Sequence, residues 1–316
     1  MNDLTCVVQA RTGSTRLPGK VLADVDGLPL LGFLLTRLAP LAGEPRIEVV
    51  VATSDAPADD AVAALAEELA TPVLRGSEAD VLSRFLLAVD AHPATAVVRL
   101  TGDCPLLDPD LVRAVAATHR DSGAAYTSNT LLRTFPDGLD VEVVDPTALR
   151  EAAGLATDPA DREHVTSYLY RHPGRYQLAQ HLGDRAAGEE RWTIDTAADL
   201  DWLRGAVTAV DDLRHARWTT ILDALGRQGA GPGLRLEPLR FAGDAGRSER
   251  TWDVCADGDV RGTTTVVAGD DGRASVRWAL DGCEPAAVRP VLAHWLAADR
   301  QVDVVDDDHG PWGVAR

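Results

Sequence analysis

Short apolar runs alternate with stretches whose apolar residues recur at helical spacing over the first 121 residues, and this alternation restricts the chain to an α/β architecture. Residues 4–8, 47–51, 73–74 and 95–100 read as strands; residues 30–41, 58–70, 79–90 and 109–121 read as helices. The first run is followed at once by a loop containing Gly and Pro, as expected of a central strand buried on both faces. Strands separated by helices are joined in parallel. The expected fold is therefore α/β, a doubly wound and mostly parallel Rossmann-type sheet. In such a sheet ligands sit beyond the carboxyl ends of the strands. Segments 9–20, 75–80 and 101–108 are expected to converge there.

Beyond residue 125 the pattern reads as strands at 124–127 and 139–144, helices at 146–154 and 161–171, strands at 176–181 and 191–194, and a helix after Thr196. Residues 226–233 hold four Gly and one Pro, a linker composition. The expected division is a domain over 1–230 and a small α+β module over 236–316. That module reads as strands at 251–255, 260–267, 274–280 and 302–305 with a helix at 285–298. Its Trp252, Trp278, Trp295 and Trp312 are expected in its core. Adding to the sheet, dimerising or binding an acceptor would all suit the module, and the sequence does not choose.

Charge narrows the partners. Lys and Arg number 31 against 49 Asp and Glu, a net −18 that repels a phosphate backbone over any broad surface. Nucleic acid is not expected; a local cationic cluster holding a small anion is compatible with this balance. The four cysteines form no C-x-x-C pair, and no His pair has zinc-module spacing, so neither disulfides nor structural zinc are indicated. The stretch MNDLTCVVQARTGS lacks a basic start followed by a long apolar segment, and no run is long enough to span a bilayer. A soluble, cytoplasmic homodimer is expected.

The loop Gln9-Ala-Arg-Thr-Gly-Ser-Thr-Arg-Leu-Pro-Gly-Lys20 combines Gly13 and Gly19 with the cations Arg11, Arg16 and Lys20. Missing side chains allow close backbone approach, Ser14 and backbone N–H groups can cradle oxygens, and the cations can neutralise charge on a departing pyrophosphate. The spacing excludes a Walker A loop, since five residues separate the glycines and Val21 follows Lys20. It also lacks G-x-G-x-x-G. Arg75 and Ser77 occupy the next strand-end loop, suited to fixed donors and acceptors for a base. Thr101 lies at a third strand end. Asp103 and Asp195 each follow a strand-like run; either can cap a turn, and together they would offer oxygen ligands of the kind Mg²⁺ takes. Asp108, before Pro109, reads as a helix N-cap. Cys104 reads as packing.

QARTGSTRLPGK resembles the signature loop of the CTP-dependent cytidylyltransferases, the superfamily of acylneuraminate and 3-deoxy-manno-octulosonate cytidylyltransferases, and within it the spore coat polysaccharide biosynthesis protein F branch. The stretches LRGSEADVL, RLTGDCPLLD, RTFPDGLDVE, REHV and RWTID, beginning at residues 74, 99, 133, 162 and 191, extend the resemblance over about 4–208. It implies CTP as donor, Mg²⁺ on Asp103 and Asp195, and base recognition near Arg75 and Ser77. Gln9, Gly13, Ser14, Gly19 and Thr101 are the further nucleotide candidates; Arg11, Arg16 and Lys20 are the catalytic ones. Asn129, Arg133, Asp140, Glu142, Arg162, His164 and Arg191 are candidates for binding an acceptor: acids for hydroxyls or an amine, arginines for a carboxylate, phosphate or phosphonate. His164 also suits a general base or a structural role. The reaction implied is CMP transfer to a sugar acid, sugar, phosphate or phosphonate oxygen with loss of pyrophosphate. A nucleotide-sugar glycosyltransferase and a noncatalytic nucleotide-binding assembly protein are the rival readings.

Overall fold

A computed structural model of the protein describes residues 2–131, 133–183, 185, 187–188 and 190–225, and the backbone of six strands beyond residue 234. The chain divides into two compact units. One comprises residues 1–130, 135–181 and 188–227; the other comprises 131–134, 182–187 and 228–316.

The first unit is built on a seven-stranded sheet. In chain order its strands are β1 (Asn2–Gln9), β4 (Ile47–Ser54), β5 (Val73–Gly76), β6 (Ala94–Thr101), β7 (Tyr126–Ser128), β8 (Glu142–Val144) and β9 (Leu178–Gln180). A two-residue ladder, β2 (Asp24–Val25) with β3 (Leu28–Pro29), lies outside it. The spatial order is β5-β4-β1-β6-β8-β7-β9, with β8 alone antiparallel to its neighbours β6 and β7. The expected α/β class and mostly parallel sheet are borne out. Central β1 pairs with β4 on one side and β6 on the other, and Cys6, Val7 and Val8 are fully buried. Each such apolar side chain contributes about 1.5–3 kcal/mol by leaving water.

The helices are α1 (Leu30–Ala42), α2 (Asp60–Glu68), α3 (Val81–Ala91), α4 (Pro109–Ser122), α5 (Pro146–Leu155), α6 (Pro159–Glu163), α7 (Ser167–Tyr170), α8 (Ala197–Ala209) and α9 (Trp218–Leu225). Local chemistry fixes their starts. Asp80, Asp108 and Asp145 accept from the first free N–H groups of α3, α4 and α5, and Pro follows Asp108 and Asp145 at the first helical position. Asp108 is thus the expected cap, and its second oxygen also accepts from Trp218 N at 2.8 Å, tying α9 to α4. Thr196 and Asp199 form a reciprocal capping box on α8.

Two expectations fail. The helix expected over 161–171 is broken into α6 and α7, with Val165 between them at φ 59°, a left-handed conformation costly for a β-branched residue. Burial supports the break: Thr166 is fully buried and its hydroxyl donates to Glu142 at 2.7 Å. The strand expected over 191–194 is also absent. Trp192 and Ile194 are buried, as alternation requires, but only an isolated bridge from Arg191 to Asp137 forms. α9, β2 and β3 were not anticipated.

The second unit carries a six-stranded sheet in the order β10-β11-β12-β13-β14-β15: Arg235–Asp244, Arg247–Ala256, Asp259–Gly269, Arg273–Leu280, Val304–Asp307 and Gly310–Gly313. Its pairs are antiparallel except β13 with β14. The expected strands at 251–255, 260–267, 274–280 and 302–305 fall within or overlap β11 to β14. The helix expected at 285–298 and the four tryptophan side chains lie outside the described residues.

Candidate active site

β1 ends at Gln9, and the chain then makes a closed loop. Gly19 N donates to Thr12 O at 2.9 Å and Ser14 N to the same oxygen at 2.8 Å. Gly19 has φ 71°, the left-handed turn that starts a short 3₁₀ segment, Lys20–Leu22. Asp59 anchors the loop from the β4 side. Its Oδ1 accepts from Thr12 N and Thr12 Oγ1, both at 2.7 Å, and its Oδ2 accepts from Ser54 Oγ. Burial pushes the Asp59 carboxyl up, but these hydrogen bonds from Ser54 and Thr12 outweigh it and hold the group below its ordinary range.

The loop forms one wall of an open cleft of about 530 Å³ at the carboxyl ends of β1 and β6. Lys20, 8% exposed, turns its ammonium inward, where Nζ donates to Asp103 Oδ2 at 2.8 Å, Asp195 Oδ1 at 3.0 Å and Ile194 O at 2.8 Å. The two acids are therefore brought together across 92 residues, and Ile194 N donates to Asp103 O at 2.9 Å to fix the approach. Asp195 Oδ2 also pairs with Arg16 at 2.9 Å and Arg191 at 2.8 Å. Burial raises the Asp195 carboxyl, yet Lys20, Arg16 and Arg191 more than offset that and keep it below the usual carboxylate range. Two carboxylate oxygens that reach one cationic atom fit a hard divalent ion completed by water and phosphate oxygens. No group of three or more His, Cys, Asp or Glu ligands occurs among the described residues, so protein ligands alone would not complete a shell.

Gln9, Arg11, Gly13, Ser14, Arg16, Lys20, Thr101, Asp103 and Asp195 all line this cleft. Arg11 also pairs with Glu163 at 3.2 Å and with Glu78 at 3.7 Å. A Cβ at Gly13 would stand 3.1 Å from Glu78 Oε1. Gly102, not singled out from sequence, is tighter: its Cβ would meet Ala10 Cβ at 3.0 Å and Gln9 O at 3.1 Å, so glycine lets β6 close against β1.

Arg75 and Ser77 are not brought to the cleft. Arg75 donates to Ser54 O and Ala56 O, both at 3.0 Å, and pairs with Asp60; Ser77 Oγ accepts from Asp80 N. Arg75 ties this segment to the start of α2 through Asp60, and Ser77 ties it to the residue that caps α3. The arginine of this region that does line the cleft is Arg84, on α3. It sits on the buried face with Val81, Phe85 and Ala88, and an Arg at a core position of a helical pattern was the available signal.

Of the residues expected to bind an acceptor, Asp140, Glu142 and His164 line the cleft, together with Asp137 and Glu163. Glu142 is buried and locked: Tyr126 Oη donates to it at 2.6 Å, Thr166 Oγ1 at 2.7 Å, and Arg99 pairs with it. Burial raises its carboxyl, and Arg99, Tyr126 and Thr166 draw it below the ordinary range. Arg99 also donates to Gln9 Oε1 at 3.1 Å, linking this network to the loop. His164 is exposed at the end of α6. Three other candidates serve the scaffold. Asn129 joins the chain before β8 through Leu139 O and Val141 N, both at 2.8 Å; Arg162 holds Asp80 and Ala153 O; Arg191 holds Asp195 and Asp199. Arg133 lies in the second unit. Cys104 is buried, and burial pushes its thiol well above the ordinary range, as packing requires and a nucleophile does not.

Known proteins share both sequence and fold with this chain. The sequence model of the cytidylyltransferase family matches residues 5–204. The spore coat polysaccharide biosynthesis protein SpsF of Bacillus subtilis is 37% identical over 209 residues, covering 65% of this chain and 86% of its own. The 3-deoxy-manno-octulosonate cytidylyltransferase of Aeromonas hydrophila is 30% identical over 236 residues, covering 67% and 84%. The structure of a cytidylyltransferase from Leptospira borgpetersenii superposes with a TM-score of 0.67 at 28% identity, covering 73% of this chain and all of that one. A cationic loop at the end of the central strand, two acids gathered beside it, and these likenesses lead to one conclusion: the chain belongs to the cytidylyltransferase family of nucleotidyltransferases.

Proposed function

We propose that the cleft binds CTP and transfers CMP to an acceptor oxygen, releasing pyrophosphate. The observation that carries this is the contact of one ammonium, Lys20, with both Asp103 and Asp195 at the mouth of a loop bearing Arg11 and Arg16. Asp103 and Asp195 would hold Mg²⁺, which when bound neutralises phosphate charge and supports in-line displacement. In the reaction the acceptor oxygen forms a bond to the α-phosphorus while the bond from that phosphorus to the β-phosphate oxygen breaks. Arg11, Arg16 and Lys20 offset the charge gathering on the departing pyrophosphate, and their fixed positions avoid reorganisation at that moment. Ser14 and backbone N–H groups of the loop orient the phosphates. An anionic acceptor arrives without a proton to lose; for a hydroxyl acceptor, His164, exposed in the cleft wall, would receive the proton.

The far wall supports a reading of the acceptor class. Asp137, Asp140 and His164 suit a polyhydroxylated acceptor such as a sugar or sugar acid. Residues 1–230 would carry this activity, with the module over 236–316 separate from the chemistry. The test is a screen of sugar acids, sugars, phosphates and phosphonates with CTP and Mg²⁺, read as pyrophosphate release. A burst of pyrophosphate with one acceptor class is the expected result. Transfer from a preformed nucleotide sugar without pyrophosphate would replace this reading by glycosyl transfer.

A further inference from the structure

Arg84 occupies the fourth position of α3, is 2% exposed, and lines the cleft. Its Nε and Nη1 are buried and have no hydrogen-bond acceptor. Arg37, equally buried, is the contrast: it donates to the carbonyls of Leu106, Leu107, Leu213 and Ala216. Buried N–H groups of a cation are seldom left unmatched unless something completes them.

The fold makes room for this side chain. Gly76 ends β5 against it, and a Cβ there would stand 3.0 Å from Arg84 Cγ. Two of the three acids whose charge it feels are engaged elsewhere: both Asp59 oxygens serve Thr12 and Ser54, and Glu78 faces Arg11. Burial, and then the positive charge of Arg11, lower the Arg84 pKa from the ordinary arginine value against the pull of Asp59, Glu78 and Asp55. A buried cation that feels the charge of half-buried Arg11 and has unmatched donors calls for an anion rich in oxygen acceptors. A neutral base would leave the charge uncompensated.

We propose that Arg84 is an anion-binding residue of the cleft, its guanidinium donating to a non-bridging phosphate oxygen of the bound nucleotide. This rests on the cleft being a nucleotide site, but it requires only a polyphosphate and not cytosine. The closing experiment measures calorimetric binding of inorganic tripolyphosphate, CTP and cytidine to the full chain and to Arg84→Met, with the melting temperature of each ligand-free protein. The expected result is a loss of about tenfold or more in tripolyphosphate and CTP affinity in the variant, because a charge-assisted phosphate contact is removed. Cytidine affinity should be unchanged, and the ligand-free variant should melt at or above the parent temperature, since an unmatched buried charge has been taken away. Tripolyphosphate affinity equal to the parent's overturns the proposal, as does a loss of cytidine affinity as large as that of CTP, or a parent that binds no tripolyphosphate. A parent that binds tripolyphosphate but shows no preference for CTP ends the cytidylyl reading and leaves Arg84 in place. Should Arg84→Met fail to fold, Arg84→Gln carries the same test; if neither folds, the guanidinium is structural and the proposal falls.

Discussion

At the scale of single residues, the proposed chemistry rests on one ammonium and two carboxylates, Lys20, Asp103 and Asp195. Lys20→Ala and Asp103→Ala should each lower the rate of pyrophosphate release by about a hundredfold or more, corresponding to about 3 kcal/mol of lost transition-state stabilisation, with the circular dichroism spectrum unchanged. Asp59 acts one step back, as the anchor of Thr12. Asp59→Ala should cost about tenfold or more in kcat/KM through a misplaced loop, which steady-state kinetics would read while the metal dependence stays as in the parent. Lys20 and Asp103 were legible because small residues, cations and acids at strand ends carry a local signal; Asp195, which no strand precedes, was legible through the family resemblance. Arg75 and Ser77 carry the same kind of signal, and they stand outside the cleft lining, where Ser54 O, Ala56 O and the amide of Asp80 engage them. Arg84 was hidden by its position, since helical periodicity alone assigns such a residue to the core and not to a cavity.

At the scale of elements, caps and one buried arginine hold the site's frame. Asp199 closes the capping box of α8 and accepts from the amides of Asp195 and Thr196, from Thr196 Oγ1 and from Arg191. Burial raises its carboxyl, but these bonds win and bring it from 3.8 to about 2. Because the folded value lies below the unfolded one, its contribution is fully present above pH 3.8 and is lost as pH falls through about 2. Asp199→Ala should flatten the stability curve between those limits, measured by denaturant melts at several pH values. Thr196→Ala should cost about 1 kcal/mol at neutral pH. Arg37→Met should be far worse, about 3 kcal/mol or more, since three buried carbonyls and one part-buried carbonyl lose their donor at once. Elements with strong local period, from β1 to α5, were readable in the sequence. The break at Val165 and the missing strand near Trp192 were not, because each depends on a distant partner: Glu142 for Thr166, and Asp137 for the chain at Arg191.

At the scale of the whole molecule, a chain of net charge −18 still gathers Arg11, Arg16, Lys20, Arg84 and Arg99 around one cleft, a local cationic cluster within an acidic protein. On the proposed cytidylyl reading, CTP with Mg²⁺ should raise the melting temperature more than UTP, GTP or ATP at equal concentration, by the binding linkage. No helix among the described residues is long and apolar enough to cross a membrane. The most direct measurement is a crystal structure of the protein with a non-hydrolysable CTP analogue and Mg²⁺. The triphosphate should lie against the loop from Arg11 to Lys20 with the ion bridging it to Asp103 and Asp195. A nucleotide bound elsewhere, or those carboxylates turned from it and joined only to Lys20, would contradict the account.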